Sequence, residues 1–336
     1  MRQANGSLNG VNFFRKMASV SSLLSPVVPV APVVPETMSF RLGIDLGGTK
    51  IAAVVLNAEG DAVWQTRVAT PRQDYPATLD ALARVVAAGE AAVGRSCSVG
   101  VGMPGAISPT TALVKNANST WLNGRPFHLD LQMRLGRPVR CANDANCLAM
   151  SEAADGAAVG APVVFGVIVG TGVGGGIVVS RRVVTGANAI AGEWGHNPLP
   201  WPDAAELPGP ACYCGRQGCL ETWLSGPGLA GDYHRRTGTV LRAEDVVARA
   251  GAGEAAAAGT LHDWMRRLAR GLASVVNLLD PDVIVLGGGL SEIDGVYEQV
   301  PGLWREWVFS DRVDTRLVPA KYGAASGVRG AARLWD

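Results

Sequence analysis

The chain has no run of eighteen or more apolar residues, so no stretch of it is long enough to cross a bilayer as an apolar helix. It carries almost no net charge, +1 at pH 7 from 30 Lys and Arg against 29 Asp and Glu. That balance removes the electrostatic argument for a nucleic-acid or membrane partner and leaves a small molecule as the expected one. No GxxxxGK[ST] stretch occurs, which excludes a Walker-type phosphate loop. Cysteine is scarce: of six, Cys97, Cys141 and Cys147 are scattered on apolar segments. Such a distribution fits buried free thiols in a reducing compartment, hence the cytoplasm, better than a disulfide framework. What is plentiful is apolar residue, 48% of 336 with 18% charged, enough for two domains with large cores.

The other three cysteines lie together. Gly192 to Thr222 reads GEWGHNPLPW, an acidic and Pro-rich insertion, then CYCGRQGCLET, placing His196, Cys212, Cys214 and Cys219 at ligand-like spacing. Three thiolates and an imidazole make a closed tetrahedral Zn²⁺ site, which is structural because no position is left open for water. Turn glycines between the thiols suit a metal knuckle; the alternative is three unliganded thiols in a loop. Glu193 lies three residues before one ligand and Glu221 two after another, so a bound metal would pin both carboxylates.

Residues 1–37 differ from the rest. Ser25 to Pro35 (SPVVPVAPVVP) favours extended polyproline conformation, and the prolines leave no continuous core for a secretory signal. A start assigned too early, with Met38 just before the first strand, is the simpler account, so residues 1–37 are expected to lie outside the fold. Phe40 to Leu56 then reads as strand, Gly turn, strand, and Phe165 to Val179 repeats it. At a constant offset Gly43 matches Gly166, Gly47 matches Gly170, and Val54 and Val55 match Ile177 and Val178, an internal duplication that predicts two similar α/β domains facing a cleft. Gly170 to Gly175 also satisfies GxGxxG, but strand residues follow where a dinucleotide fold needs a helix. Two equivalent glycine turns can instead cradle phosphates with their backbone amides, or serve only as turns.

Between and beyond the hairpins, periodicity predicts a helix over Pro76 to Val93, a strand from Ser98 running into Pro104-Gly105, and helices near 228–236, 243–250 and 260–279. Trp121, in the polar loop NANSTWLNG (Asn116 to Gly124), either stacks on a sugar ring or anchors the loop. Asp144 follows a strand and opens a helix, where it is either a cap or a base held ionised by the helix dipole. NLLDPDVIVLGGG supplies a third glycine turn, Gly287 and Gly288, opening toward a helix.

Taken jointly, DLGGTK, GMPGAIS, AND, GTGVGGG, GEWGH, CYCGRQGCLE and DPDVIVLGGG resemble the ROK family of sugar kinases and repressors over residues 39–336. The resemblance implies a two-domain, ribonuclease-H-like α/β fold of the actin, hexokinase and Hsp70 kind with an interdomain cleft. It places residues 38–144 with about 320–336 in a small domain and 145–319 in a large one. NANSTWLNG, HNPLPW and CYCG look most like bacterial fructokinases of the manno(fructo)kinase type. An ATP-dependent kinase for the 6-hydroxyl of D-fructose is therefore expected, with mannose or glucose as further acceptors. N-acetylglucosamine kinase or glucokinase is the alternative, and a sugar-responsive repressor a remote one. Asp144 then matches the catalytic base. Asn118, Asn143, Asp144, Glu193, His196 and Glu221 match acceptor ligands, His196 also contributing to the zinc site with Cys212, Cys214 and Cys219. Asp45, Gly47, Gly48, Thr49, Lys50, Gly170, Thr171, Gly172 and Gly174 match the phosphate-binding turns, and Gly287 and Gly288 the nucleoside side. Structural Zn²⁺, Mg²⁺ with ATP, no nucleic-acid or membrane partner, and a homodimer are implied with them.

Overall fold

A computed structural model describes residues 40–336, and the extension expected over residues 1–37 lies outside the described residues. Strands β1 (Arg41–Leu46) and β2 (Lys50–Leu56) form an antiparallel hairpin whose turn is closed by Gly47 N–H donating to the Lys50 carbonyl at 3.0 Å. β3 (Ala62–Ala69) continues it as the edge strand. Helix α1 (Tyr75–Val93) starts where the Asp74 carboxylate accepts the Ala77 N–H, and turns Leu79, Leu82, Val85 and Val86 inward. It returns the chain to β4 (Ser98–Met103), parallel to β1 and buried throughout, as a strand covered on both faces must be. A short hairpin of β5 (Ala106–Ile107) and β6 (Val114–Lys115), helix α2 (Phe127–Leu135), strand β7 (Val139–Asn143) and helix α3 (Asp144–Ala154) follow. Trp121 packs against this lobe's core, so the structure makes it the loop's anchor.

The second lobe repeats the plan. Its strands are β8 (Val163–Val169), β9 (Val173–Val179) and β10 (Arg182–Val183), followed after helices α4 (Leu220–Leu224), α5 (Gly226–Thr237), α6 (Ala243–Gly251) and α7 (Ala255–Leu279) by β11 (Val283–Gly287). Helix α8 (Val296–Leu303), strand β12 (Arg316–Pro319) and helix α9 (Ser326–Arg333) complete it. The sheets run β3-β2-β1-β4-β7 and β10-β9-β8-β11-β12, the same order with the same directions. The duplication is therefore topological, but the constant offset fails across the turn. Gly43 pairs with Val54, whereas Gly166 pairs with Gly176, because the second turn is one residue shorter; Val54 corresponds to Gly176, not Ile177.

Each lobe lends its last helix to the other. α3 leaves the first sheet and packs on β8 and β9, while α9 leaves the second and packs on β1 and β4. The matched strand glycines are the seats: a Cβ on Gly43 would lie 2.1 Å from the Val328 carbonyl oxygen, and one on Gly166 would lie 2.7 Å from Ala149 Cβ. The two helices then cross so closely that a Cβ on Gly330 would stand 1.6 Å from the Cys147 carbonyl oxygen. Fully buried Glu152 ties the crossing, accepting from Ser326 Oγ at 2.7 Å and Lys321 N–H at 3.0 Å. Beside it Asp155 accepts from Arg329 Nη2 at 2.9 Å and pairs with Arg333. Among the described residues no helix is long and apolar enough to cross a membrane.

Candidate active site

Asp144 is the first residue of α3 rather than its cap. Asn143 is the cap, its Oδ1 accepting the Ala145 N–H at 2.9 Å while its Nδ2 donates to the Gly105 carbonyl at 3.2 Å. Asp144 Oδ1 accepts the same Ala145 N–H at 2.8 Å and keeps its other oxygen for the cleft, to which the side chain is open. Protein hems the carboxylate on its remaining sides. That loss of water outweighs the Ala145 bond and, with the charges of Asp45 and Glu193 nearby, pushes Asp144 up to about 6. The bond to the Ala145 N–H at the helix end pulls the other way without offsetting burial. Asp45, at the end of β1, is likewise raised by burial against the pull of Lys50 and Arg67.

Glu193 precedes a short 3₁₀ turn, Trp194–His196, that is wedged into the second core. Trp194 Nε1 donates to the Gly174 carbonyl at 3.0 Å, and its ring meets Phe165 edge to face. His196, Cys212, Cys214 and Cys219 do converge: their ligand atoms all lie within 4.8 Å of one another, with His196 Nδ1 3.5 Å from Cys212 Sγ and Cys214 Sγ 3.6 Å from Cys219 Sγ. Bonds of about 2.3 Å to a tetrahedral Zn²⁺ put sulfurs roughly 3.8 Å apart, so this donor set fits that ion. The other imidazole nitrogen differs from expectation. His196 Nε2 sits 2.9 Å from the Tyr213 hydroxyl, which occupies the place expected for an acceptor hydroxyl.

Helix α7 supports this assembly from behind. Trp264 Nε1 donates to the Leu224 carbonyl at the end of α4, and Arg267 lies 4.4 Å over the Trp223 ring on the same helix. Glu206, from the acidic insertion, accepts from Arg267 Nε at 2.8 Å and from Arg270 Nη2 at 2.6 Å. Burial alone would push the Glu206 carboxyl up, but the two guanidiniums and the Asp203 N–H hold it at about 2. Arg267 also pairs with Asp232, so the buried charges form one connected group. These contacts fix the insertion, and with it the segment between His196 and Cys212.

One hollow borders Glu193 and a second begins at the second glycine turn. A cavity of about 100 Å³ is walled by Ala106, Ile107 and Cys141 from one lobe and Val183 and Ile190 from the other, with Asn143, Asn146 and Glu193 on its border. Asn146 Oδ1 is buried there without a hydrogen-bond partner among the described residues. Asn118 does not line this cavity; it is exposed, next to buried Ser119, whose Oγ would lie 3.4 Å from a Cβ on Gly48. A larger groove of about 870 Å³ begins at Gly170 and Thr171 and runs between Pro227 of α5, Val247 of α6 and Leu290. Gly289 borders it and Gly288, with φ +88°, backs onto the Val169 carbonyl, leading into a 3₁₀ turn rather than the expected helix. Pro227, Ala230, Ala243 and Val247 had no signal in the sequence, since each is an ordinary helix residue.

A model of the ROK family matches residues 41–336. An N-acetyl-D-glucosamine kinase of Pectobacterium atrosepticum is 41% identical over 306 residues, covering 87% of this chain and 97% of the relative. Among solved structures, a ROK hexokinase from Thermus thermophilus matches with a TM-score of 0.78 at 33% identity, over 88% of this chain and 97% of that one. A ROK family glucokinase from Streptomyces griseus, in complex with glucose and AMPPNP, matches at 0.71 and 28% identity, over 88% and 98%. With two mixed sheets of one plan, these likenesses give the chain the two-domain fold of actin and hexokinase.

Proposed function

The chain belongs to the ROK family, and from that premise we propose that it is an ATP-dependent hexose kinase transferring the γ-phosphate to a sugar's 6-hydroxyl. The observation that carries this is the carboxylate of Asp144, pushed up to about 6 and open to the cleft beside two glycine turns. A general base works best with a pKa near the operating pH, and phosphoryl transfer needs little from the protein beyond that base, positioning and charge neutralisation. In this reading Asp144 takes the proton from the attacking hydroxyl. Asn118, Asn143, Glu193, His196 and Glu221 orient the acceptor, His196 once Tyr213 has yielded its ring nitrogen. Asp45, Gly47, Gly48, Thr49, Lys50, Gly170, Thr171, Gly172 and Gly174 surround the phosphates, and the groove beyond Gly287 and Gly288 takes the nucleoside. Mg²⁺ entering with ATP neutralises phosphate charge, and Asp45 is the carboxylate of the first turn available to it. Zn²⁺ on His196, Cys212, Cys214 and Cys219 serves as scaffold, fixing Glu193 and Glu221. Residues 38–144 with about 320–336 and residues 145–319 act as two lobes that close over the acceptor and exclude water. We keep the homodimer as the proposed assembly, testable by sedimentation.

For the acceptor, N-acetyl-D-glucosamine is the better supported reading, favoured by what the Pectobacterium relative is called and by the apolar cavity beside Glu193, which offers a wall for an acyl group. A second reading, D-fructose, rests on the likeness of NANSTWLNG, HNPLPW and CYCG to fructokinases. An ADP-release assay over fructose, mannose, glucose and N-acetylglucosamine decides. The highest kcat/KM on N-acetylglucosamine is the expected result, the highest on fructose installs the second reading, and phosphorylation of none overturns the kinase.

A further inference from the structure

Glu221 is attached to the phosphate side of the cleft as well as to the acceptor side. Its Oε2 accepts the Val173 N–H at 2.9 Å, and a Cβ on Gly172 would lie 2.7 Å from that same oxygen. The carboxylate therefore rests on the second glycine turn. The other end of that turn is held by the start of the next helix, because Gly226 N–H, the first residue of α5, donates to the Gly170 carbonyl at 2.7 Å. Trp264 and Arg267 of α7 grip α4 at Leu224 and Trp223, so Glu221 is tied through α4 to the core and directly to the turn.

We propose that Glu221 couples the two substrates, so that a bound acceptor raises the affinity of the turn for the nucleotide's phosphates. This rests on the kinase reading above. The physical reason is charge. With no acceptor, a carboxylate stands against a turn that must receive a polyanion, and like charges in a partly dried cleft repel. Sugar hydroxyls that donate to the free oxygen share that charge and lower the repulsion, while Val173 keeps the group in place. By linkage the effect is reciprocal, so nucleotide tightens acceptor binding by the same factor.

The test is calorimetric titration of Mg-AMPPNP into the full chain, with and without saturating sugar, using D-fructose and N-acetyl-D-glucosamine in turn. In the wild type, the sugar that is phosphorylated is expected to tighten nucleotide binding about 10-fold, within the roughly 5- to 150-fold range typical of coupled sites. Glu221→Gln keeps an oxygen for the Val173 N–H but removes the charge. It is expected to bind nucleotide without sugar as tightly as the wild type does with it, and to gain less than about twofold from sugar. A wild-type ratio near one overturns the coupling. So does a Glu221→Gln protein that binds nucleotide no more tightly than the wild type in the absence of sugar, since a merely structural Glu221 would behave that way. Should that variant not fold, Glu221→Asp, one methylene short of the Val173 N–H, must lose the ratio; retention of the wild-type value overturns the proposal. Absence of any phosphorylated hexose is a different outcome and bears on the kinase reading instead.

Discussion

Asp144 shows what a single residue contributes and how its setting changes it. Replacing it with Asn is expected to lower kcat by at least ~100-fold while sugar binding, measured by calorimetry, persists. Near wild-type turnover would take the base role away from it. Because the carboxyl is pushed up to about 6, its basic form is lost as pH falls through that value. kcat/KM of the free enzyme should therefore be level above pH 6 to 7 and fall about tenfold per unit below it. The stability sign is the reverse of a salt-bridged carboxylate. An acid whose folded pKa exceeds its unfolded value costs stability as pH rises from about 4 to 6, so Asp144→Asn should melt higher than the wild type at pH 8. The strand-to-helix position of Asp144 was legible in AND, whereas the direction of its shift was not. Asp45 and Glu193, which raise it, reach the cleft from distant parts of the chain, and local sequence exposes only the helix end that would have lowered it.

Among the elements, α7 and the knuckle divide the work of holding Glu193 and Glu221. Glu206→Ala would leave Arg267 and Arg270 buried with their shared partner gone, an arrangement that costs about 3–5 kcal/mol and should appear as a lowered urea midpoint. Glu206 is held at about 2, so its stabilisation is present above pH ~4.5 and lost as pH falls from there toward 2. Acid unfolding of Glu206→Ala should accordingly be shallower than that of the wild type. For the metal, Cys214→Ser is expected to lower zinc content, melting temperature and acceptor affinity together; zinc loss with KM and stability unchanged would refute the scaffold role. The four ligands were readable because metal ligands cluster at short spacing with turn glycines between them. The insertion was not, since WPDAAELPGP shows acids and prolines but nothing of the arginines on α7 that neutralise Glu206.

At the scale of the molecule, the lobes are joined where α3 and α9 change places. Gly330→Ala would drive a methyl into the Cys147 carbonyl, forcing the helices apart at a cost of at least about 1–3 kcal/mol. It should lower both the melting temperature and kcat, because the displaced α3 carries Asp144; unchanged activity would mean the crossing does not position the base. The amino-acid sequence by itself determined the two glycine hairpins, the helix and strand periods, the duplicated plan and the residues able to ligate a metal. Each of these is local, set by side-chain spacing and by the few residues a tight turn tolerates. Only the tertiary structure decided that the second turn is a residue shorter, that Gly43 and Gly166 are seats for exchanged helices, and that Tyr213 faces His196. It also decided that Glu221 leans on the second glycine turn. Those depend on which surfaces meet across the chain, and burial, close approach and charge proximity exist only once they have met.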